Sequence, residues 1–256
     1  MFMPIEYETD GPIVVITINR PEVANAIDRP TATELADAFR RFDADPELSV
    51  AVLTGAGETF CAGADLQAMR DPERFSRIAA HGDGPVGPTR LLLGKPVIAA
   101  VEGHAVAGGF ELAAWCDLRV AAQDAVFGIY CRRWGIPLMD GGTVRIARLI
   151  GHSHALDLIL TGRGVSGAEA ERMGIANRLT APGETLAAAR ELAAGIAARP
   201  QAALRSDRLS SYQQWSRDLD DALLNEFRHG TDTLETGEFS AGLDRYESGR
   251  PTRAWS

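Results

Sequence analysis

The chain has 256 residues, 45% hydrophobic and 24% charged, with 26 glycines and 13 prolines. This balance excludes a fibrous or mostly disordered protein, and the length fits one large domain or one domain plus an appendage. The net charge is −9 and no basic run appears, which argues against a nucleic-acid surface. Lys95 is the only lysine, so an anion site must use arginine, backbone N–H groups or Lys95.

Cys61, Cys116 and Cys131 form no CxxC pair and are odd in number, which points to free thiols in a reducing compartment. The opening MFMPIEYETDGP carries acids and lacks a long apolar run, so it does not read as a signal peptide. No stretch approaches ~18 uninterrupted apolar residues. The expectation is a cytoplasmic protein with no membrane span.

In chain order, residues 5–9 and 13–19 predict a hairpin around Asp10-Gly11-Pro12, the second strand being β-branched. Leu35, Ala38, Phe39 and Phe42 predict a helix over 31–42, and 50–54 a buried strand. Residues 60–65 read as a small-residue loop. Residues 70–90 are the least patterned, and mobility is expected there. A strand over 97–101 leads to a glycine-rich turn at 104–109 and a helix over 110–115. Strands follow at 118–121 and 125–128, helices at 141–150, 154–160 and 166–173, and a last strand at 177–179. Residues 183–256 read as helical, interrupted at Pro200. Alternating strands and helices up to about residue 180 predict an α/β core over 1–182. In the tail, Leu219, Leu223, Leu224 and Phe227 fall at helical spacing and need a partner surface.

Three motifs lose to plainer readings. The strand running into Gly55-Ala56-Gly57 lacks the third glycine of a dinucleotide fingerprint, because position 60 is Phe. Gly151-His-Ser-His-Ala155 follows a helix-periodic segment, so a helix-to-helix turn outweighs a hydrolase elbow. His152 and His154 have no third ligand at metal spacing, and no metal is expected.

The strongest region is 95–111. A strand delivers the chain into Ala107-Gly108-Gly109, where a helix begins. Glycines let the backbone approach a ligand closely, and a helix start offers free N–H groups and partial positive charge. That suits a developing oxyanion. Glu111 falls in the first turn, where a carboxylate either balances the dipole or acts as acid/base. The loop Phe-Cys-Ala-Gly-Ala-Asp-Leu at 60–66 also follows a buried strand and is a source for a second N–H donor.

Four segments together resemble the crotonase superfamily, the enoyl-CoA hydratase/isomerase family. They are Asn-Arg-Pro-Glu-Val-Ala-Asn-Ala-Ile at 19–27, residues 60–66, residues 95–117, and 162–165 with 170–177. The resemblance runs from about residue 5 to 250. It implies an α/β crotonase (ClpP-like) spiral of ββα units with a helical C-terminal trimerisation region, the protein being a trimer or hexamer. It implies an acyl-CoA substrate, coenzyme A being part of that substrate and no further cofactor being needed. By position it puts the two oxyanion N–H groups on Ala64 and Gly108. The adenine end falls on the loop Ala62, Ala64, Asp65, Leu66 and Gln67, with Ala24 near the pantetheine.

Glu111 matches the first of the hydratases' two catalytic glutamates. Counting from Phe127-Gly128, the second falls on Cys131, a departure from the pattern. Asp140 is an alternative source of the missing carboxylate, and a solvent-exposed or helix-capping Asp140 is the plainer reading. Arg132 and Arg133 are unusual for a site wall. The acyl pocket is expected along 70–90 and the C-terminal helices. The resemblance implies a 2-enoyl-CoA hydratase. Other crotonase chemistry (isomerase, decarboxylase or hydrolase) and a non-catalytic acyl-CoA-binding homologue remain alternatives.

Overall fold

The β-branched run at 14–18 seeds the larger sheet. In the computed structural model, which describes residues 3–249, β1 (Ile5–Asp10) and β2 (Ile13–Ile18) pair antiparallel through a turn at Gly11, whose φ of +54° is left-handed. The parallel strands β3 (Val50–Gly55), β4 (Val97–Val101), β6 (Leu118–Ala122) and β9 (Arg178–Thr180) follow, in the order β1-β2-β3-β4-β6-β9. Every residue of β4 is buried, as in parallel strands covered on both faces. Between β2 and β3 lies helix α1 (Arg29–Ala44), whose first turn is capped by the Asp28 side chain accepting from Thr31 N at 3.1 Å. It buries Leu35, Phe39 and Phe42, with Phe39 edge-on to Trp115 at 4.8 Å.

A second, three-stranded sheet holds β5 (His104–Val106), β7 (Val126–Gly128) and β8 (Gly164–Ser166). A strand of the large sheet, a strand of the small sheet and a helix recur as a unit. β4 and β5 lead to α2 (Gly108–Trp115), and β6 and β7 lead to α3 (Gly142–Ile150). This is the spiral of ββα units. Helices α4 (His152–Thr161), α5 (Gly167–Met173) and α6 (Thr185–Ala197) complete the first unit.

The structure corrects several expectations. The glycine-rich turn expected at 104–109 is divided, because His104 O and Val106 N bond the Cys61 backbone at 2.9 and 3.0 Å and draw 104–106 into a strand. Strand β8 is unforeseen, three residues being too few to show alternation. The first compact unit ends at Ile196, not at 182, because α6 buries Thr185, Ala189 and Ala193 within it. The second unit begins at Ala197 and holds α7 (Gln201–Gln213), α8 (Leu219–Leu234) and α9 (Glu238–Glu247). Within that unit the Glu238 carboxylate accepts from Gln201 N at 2.9 Å and Ala202 N at 3.0 Å, closing the free amides at the start of α7. No helix of the described residues is long and apolar enough to cross a membrane.

At the junction of β5 and α2, two neighbouring residues carry opposite constraints. Gly109 has no room for a side chain, since a Cβ there would overlap the Cys61 carbonyl oxygen. Ala107 has φ +53°, a conformation disfavoured for any residue with a Cβ. Gly109→Ala is therefore expected to lower stability by about 1–3 kcal/mol. Ala107→Gly should leave it unchanged or raise it by up to about 1 kcal/mol. Urea unfolding of the two variants beside the parent checks both signs.

Candidate active site

Two loops that are 44 residues apart in sequence meet at α2. The segment 60–64 runs alongside β5, and Gly63 O accepts from Ile27 N at 2.8 Å while Asp65 N donates to Ile27 O at 2.9 Å. Ala64 is thereby held between two bonds to one residue. A Cβ on Gly63 would stand 2.6 Å from Gly108 N, and one on Gly108 would stand 3.6 Å from Ala64 N. The amides of Ala64 and Gly108 are thus neighbours. Neither donates to an acceptor among the described residues.

Both residues line a cavity of about 620 Å³, as do Ala62, Asp65, Leu66, Gln67, Glu111, Cys131 and Asp140. Its lining residues lie between Glu22 and Asp140. Ala24 is not one of them; its carbonyl is taken by Ala62 N at 3.0 Å. Asp65 meets the cavity, but its carboxylate serves the chain itself. Oδ2 pairs with Arg20 at 3.0 Å and Arg74 at 3.1 Å, while Oδ1 accepts from Gln67 N and Ala68 N.

Glu111 is 3% exposed. Its Oε1 accepts from Asp140 N at 2.9 Å and Gly142 N at 2.8 Å, the amides that open α3. Gly142 must lack a side chain because a Cβ there would press on Glu111 Cγ at 2.8 Å. Burial, followed by the Asp140 carboxylate, pushes Glu111 from 4.5 up to about 7, against the pull of the Gly142, Asp140 and Met139 amides.

Asp140 is 4% exposed. Its Oδ1 accepts from Thr89 Oγ1 at 2.5 Å and Val86 N at 3.2 Å, and its Oδ2 takes no hydrogen bond from the described residues. Burial raises its pKa, opposed by Thr89, Val86 and two nearby arginines. Arg145 clamps the same corner, donating to Asp140 O at 2.8 Å and Thr89 O at 2.6 Å. Asp140 does not cap α3. The residue at that cap is Gly141, without a side-chain bond.

Cys131 is 5% exposed, in a 3-10 turn over Tyr130–Trp134. Burial pushes its thiol up, the Arg132 charge opposes, and the Glu111 carboxylate adds to the rise. Arg133 lies over the Tyr130 ring at 3.8 Å and so packs on the wall rather than reaching inside. Lys95 is buried on the carbonyls of Phe42 and Asp45. Cys61, fully buried beneath the loop, is pushed up to about 12 by burial.

The far wall was only partly foreseen. Residues 75–86 supply Phe75, Ser76, Ile78, Pro85 and Val86 to the lining. Arg29 holds Phe75 O, Arg90 holds Ala79 O and Arg40 pairs with Asp83, so this stretch is tied at several points. Leu66, Phe75, Ile78, Trp134 and Met139 line the cavity and are also exposed, which makes its mouth apolar. Nothing periodic in the sequence marks that wall; the amides that hold Glu111 were signalled only by the run Asp140-Gly-Gly.

The glycine run that ends β3 and the turn at Gly151 take their plainer forms. Gly55-Ala56-Gly57 ends β3 and leads to no helix, and Gly151 joins α3 to α4 with no strand before it. Among the described residues no group of three or more His, Cys, Asp or Glu is placed to hold a metal ion.

A model of the enoyl-CoA hydratase/isomerase family matches residues 8–254. The enoyl-CoA hydratase EchA19 of Mycobacterium tuberculosis is 40% identical over 212 residues, 78% of this chain and 79% of that protein. A carnitinyl-CoA dehydratase of Salmonella arizonae is 44% identical over 186 residues, 72% of this chain and 70% of that one. The crystal structure of enoyl-CoA hydratase EchA1 from Mycobacterium marinum superposes with a TM-score of 0.92 at 36% identity, covering 98% of each chain. The α/β spiral is therefore that of the crotonase superfamily. Within it, the chain belongs to the enoyl-CoA hydratase/isomerase family.

Glu111 also gives a pH dependence. The folded protein keeps this proton where the unfolded chain has lost it, so stability falls as pH rises from about 4.5 to about 7. The displacement between those values corresponds to roughly 3 kcal/mol at most. Glu111→Gln should flatten that fall, gaining stability relative to the parent at pH 8 and not at pH 4. Thermal unfolding of both proteins across pH 4–8 decides it; equal slopes would show that the carboxyl is not raised.

Proposed function

We propose that the chain hydrates 2-enoyl-CoA thioesters, with Glu111 as the group that moves both protons. The observation that carries this reading is the meeting of the Ala64 and Gly108 amides on the same cavity as a buried, elevated carboxyl. The thioester oxygen accepts from both amides. The Glu111 carboxylate takes a proton from water as the water oxygen bonds to C3, and the C2=C3 pair moves into the thioester as an enolate. The charge comes to rest on the oxygen facing the two N–H groups, where loss of one donor typically costs ~3–4 kcal/mol of barrier. Glu111 then returns a proton to C2. A pKa near 7 suits both halves of that cycle. Hydratase and dehydratase, the names of the relatives, describe one reaction in two directions. The apolar mouth favours an apolar acyl chain.

Asp140 is the better of the two groups for holding the water. Its Oδ2 is unbonded and the residue lines the cavity beside Glu111, whereas a buried thiol accepts hydrogen bonds weakly. The thiol at 131 also supports a second reading, an enoyl-CoA isomerase, in which one acid/base moves a proton along the chain and no water is held. In either case, the exposed Leu219, Leu223, Leu224 and Phe227 of α8 and the family resemblance favour a homotrimer or hexamer of a cytoplasmic protein. Light scattering showing a stable monomer at micromolar concentration would defeat the assembly.

An acyl-CoA panel with mass detection tests the reaction. A gain of one water across the enoyl bond supports the hydratase, and a mass-neutral shift of the double bond supports the isomerase. No turnover with retained binding supports a non-catalytic homologue. Glu111→Gln should lower kcat at least ~10²-fold while CoA-ester binding holds. A gain in hydration from Cys131→Glu, even as small as ~10-fold in an untuned shell, would put the missing carboxylate at 131; no gain is expected where Asp140 holds the water. Asp140→Asn should lower hydration; full activity in that variant would remove Asp140 from the mechanism.

A further inference from the structure

We infer that Arg20 is a positioning residue for the oxyanion-binding amide of Ala64, acting through a buried charge cluster with Asp28 and Asp65. The inference rests on the reading of Ala64 N–H as a donor to the thioester.

Arg20 belongs to the Asn-Arg-Pro segment at 19–21, which the proposed chemistry leaves without a task. Its guanidinium is buried and touches three things. Nη1 donates to Ala26 O at 2.5 Å, and Nη2 pairs with Asp65 Oδ2 at 3.0 Å and lies 3.4 Å from Asp28 Oδ2. The peptide that carries it is fixed too. Arg20 N donates to Asn25 Oδ1 at 2.9 Å, and Asn25 Nδ2 donates to Ala56 O and Thr59 O, ahead of the oxyanion loop. Ala24 and Asn25 take left-handed φ of +54° to make that turn. The strain is held where the structure over-determines the backbone.

The residues Arg20 grips are those that flank Ala64. Ala26 precedes Ile27, which brackets Ala64 through its bonds to Gly63 and Asp65. Asp65 follows Ala64 directly, so its carboxylate is a handle on the peptide next to the amide in question. Asp65 Oδ1 at the same time holds Gln67 N and Ala68 N, so the carboxylate cannot rotate freely toward Arg20 or away. Arg74 closes the cluster, at 2.9 Å from Asp28 and 3.1 Å from Asp65. Two arginines thus face two carboxylates.

Burying such charges contributes little to stability, since desolvation offsets the attraction. What the cluster does supply is direction. The planar guanidinium fork permits one arrangement of Ala26 O, Asp28 and Asp65, and that arrangement aims the Ala64 amide at the cavity. Lysine, a point charge with no fork, would hold one of these acceptors and leave the others. A displacement of about 1 Å at a reacting group can cost ~10²-fold in rate.

The test reads the carbonyl itself. A saturated acyl-CoA carrying a ¹³C thioester carbonyl binds without being hydrated, and its infrared stretch falls as hydrogen bonds to the oxygen strengthen. In the parent protein the bound band should lie below that of the free thioester. In Arg20→Gln it should move back toward the free position, with kcat for enoyl-CoA hydration down about 10- to 100-fold and KM changed far less. Arg20→Lys should recover part of both. Asp65→Asn keeps the shape at 65 but weakens the ion pair, and should move the band the same way. It serves as the deciding variant if Arg20→Gln does not fold. An undisplaced band in the parent would overturn the reading of Ala64 as an oxyanion donor, and the inference with it. A band displaced equally in parent, Arg20→Gln and Asp65→Asn would leave the donor intact and overturn the role of Arg20 alone.

Discussion

The rest of the site depends on one close approach of backbone to backbone. The Cys61 peptide bonds β5 on both sides, and its carbonyl oxygen occupies the space a side chain at Gly109 would need. Contact this close requires that position 109 carry no Cβ. Once it is made, Gly63 and Gly108 are brought against one another and the first turn of α2 is fixed beneath the 60–66 loop. Glu111, one turn into that helix, then has a single direction in which to point. The strain at Ala107 is the local cost of turning from a strand into a helix within two residues.

The second constraint is electrostatic. Glu111 and Asp140 are both buried, and the amide of one residue bonds the carboxylate of the other. Two buried carboxylates so close to each other cannot both ionise cheaply; Asp140 adds to the rise that burial gives Glu111, while Asp140 itself is raised by its own burial, and backbone amides pull both down. The arrangement divides the work between them. Asp140 is bound by the Val86 amide and the Thr89 hydroxyl and ties the 84–90 wall to the start of α3. Glu111 accepts on Oε1 from the Asp140 and Gly142 amides, and the Met139 amide adds to the pull on its pKa. A carboxyl fixed by rigid donors is pre-aimed, which suits proton transfer in two directions.

What the sequence disclosed follows from where its information is local. The β-branched run at 14–18, the spacing of Leu35, Phe39 and Phe42, and the strand at 97–101 each report on neighbours within a few residues, and each is where the structure has it. The loop at 60–66, the turn at 107–109 and Glu111 were legible as candidates from the residues, and the family resemblance put the two donors on Ala64 and Gly108. That the two loops meet was not legible, because the contact spans 44 residues and leaves its trace only in which glycines are required. Strands β5 and β8 escaped for the same reason, their three residues being strands only because Cys61 and β7 lie beside them. Ala24 was put near the pantetheine by resemblance alone; in the fold its carbonyl accepts from Ala62 N.

The stretch 70–90 shows how a segment without periodicity is tied to its surroundings. It has no periodicity because it forms neither helix nor strand for most of its length, only short 3-10 turns at Ala68–Arg70 and Pro88–Arg90. Its order comes from arginines on other elements, which reach its carbonyls and carboxylates: Arg29 to Phe75, Arg40 to Asp83 and Arg145 to Thr89. Arginine is suited to this because its fork donates to an irregular backbone that offers no regular ladder. In a chain whose one lysine is buried on backbone carbonyls, the abundant arginine thus acts as structural cross-linking. These bonds hold the wall beside Val86, which packs against Gly108, so the shape of the cavity next to the two amides is set by side chains distributed over α1, α3 and the wall itself.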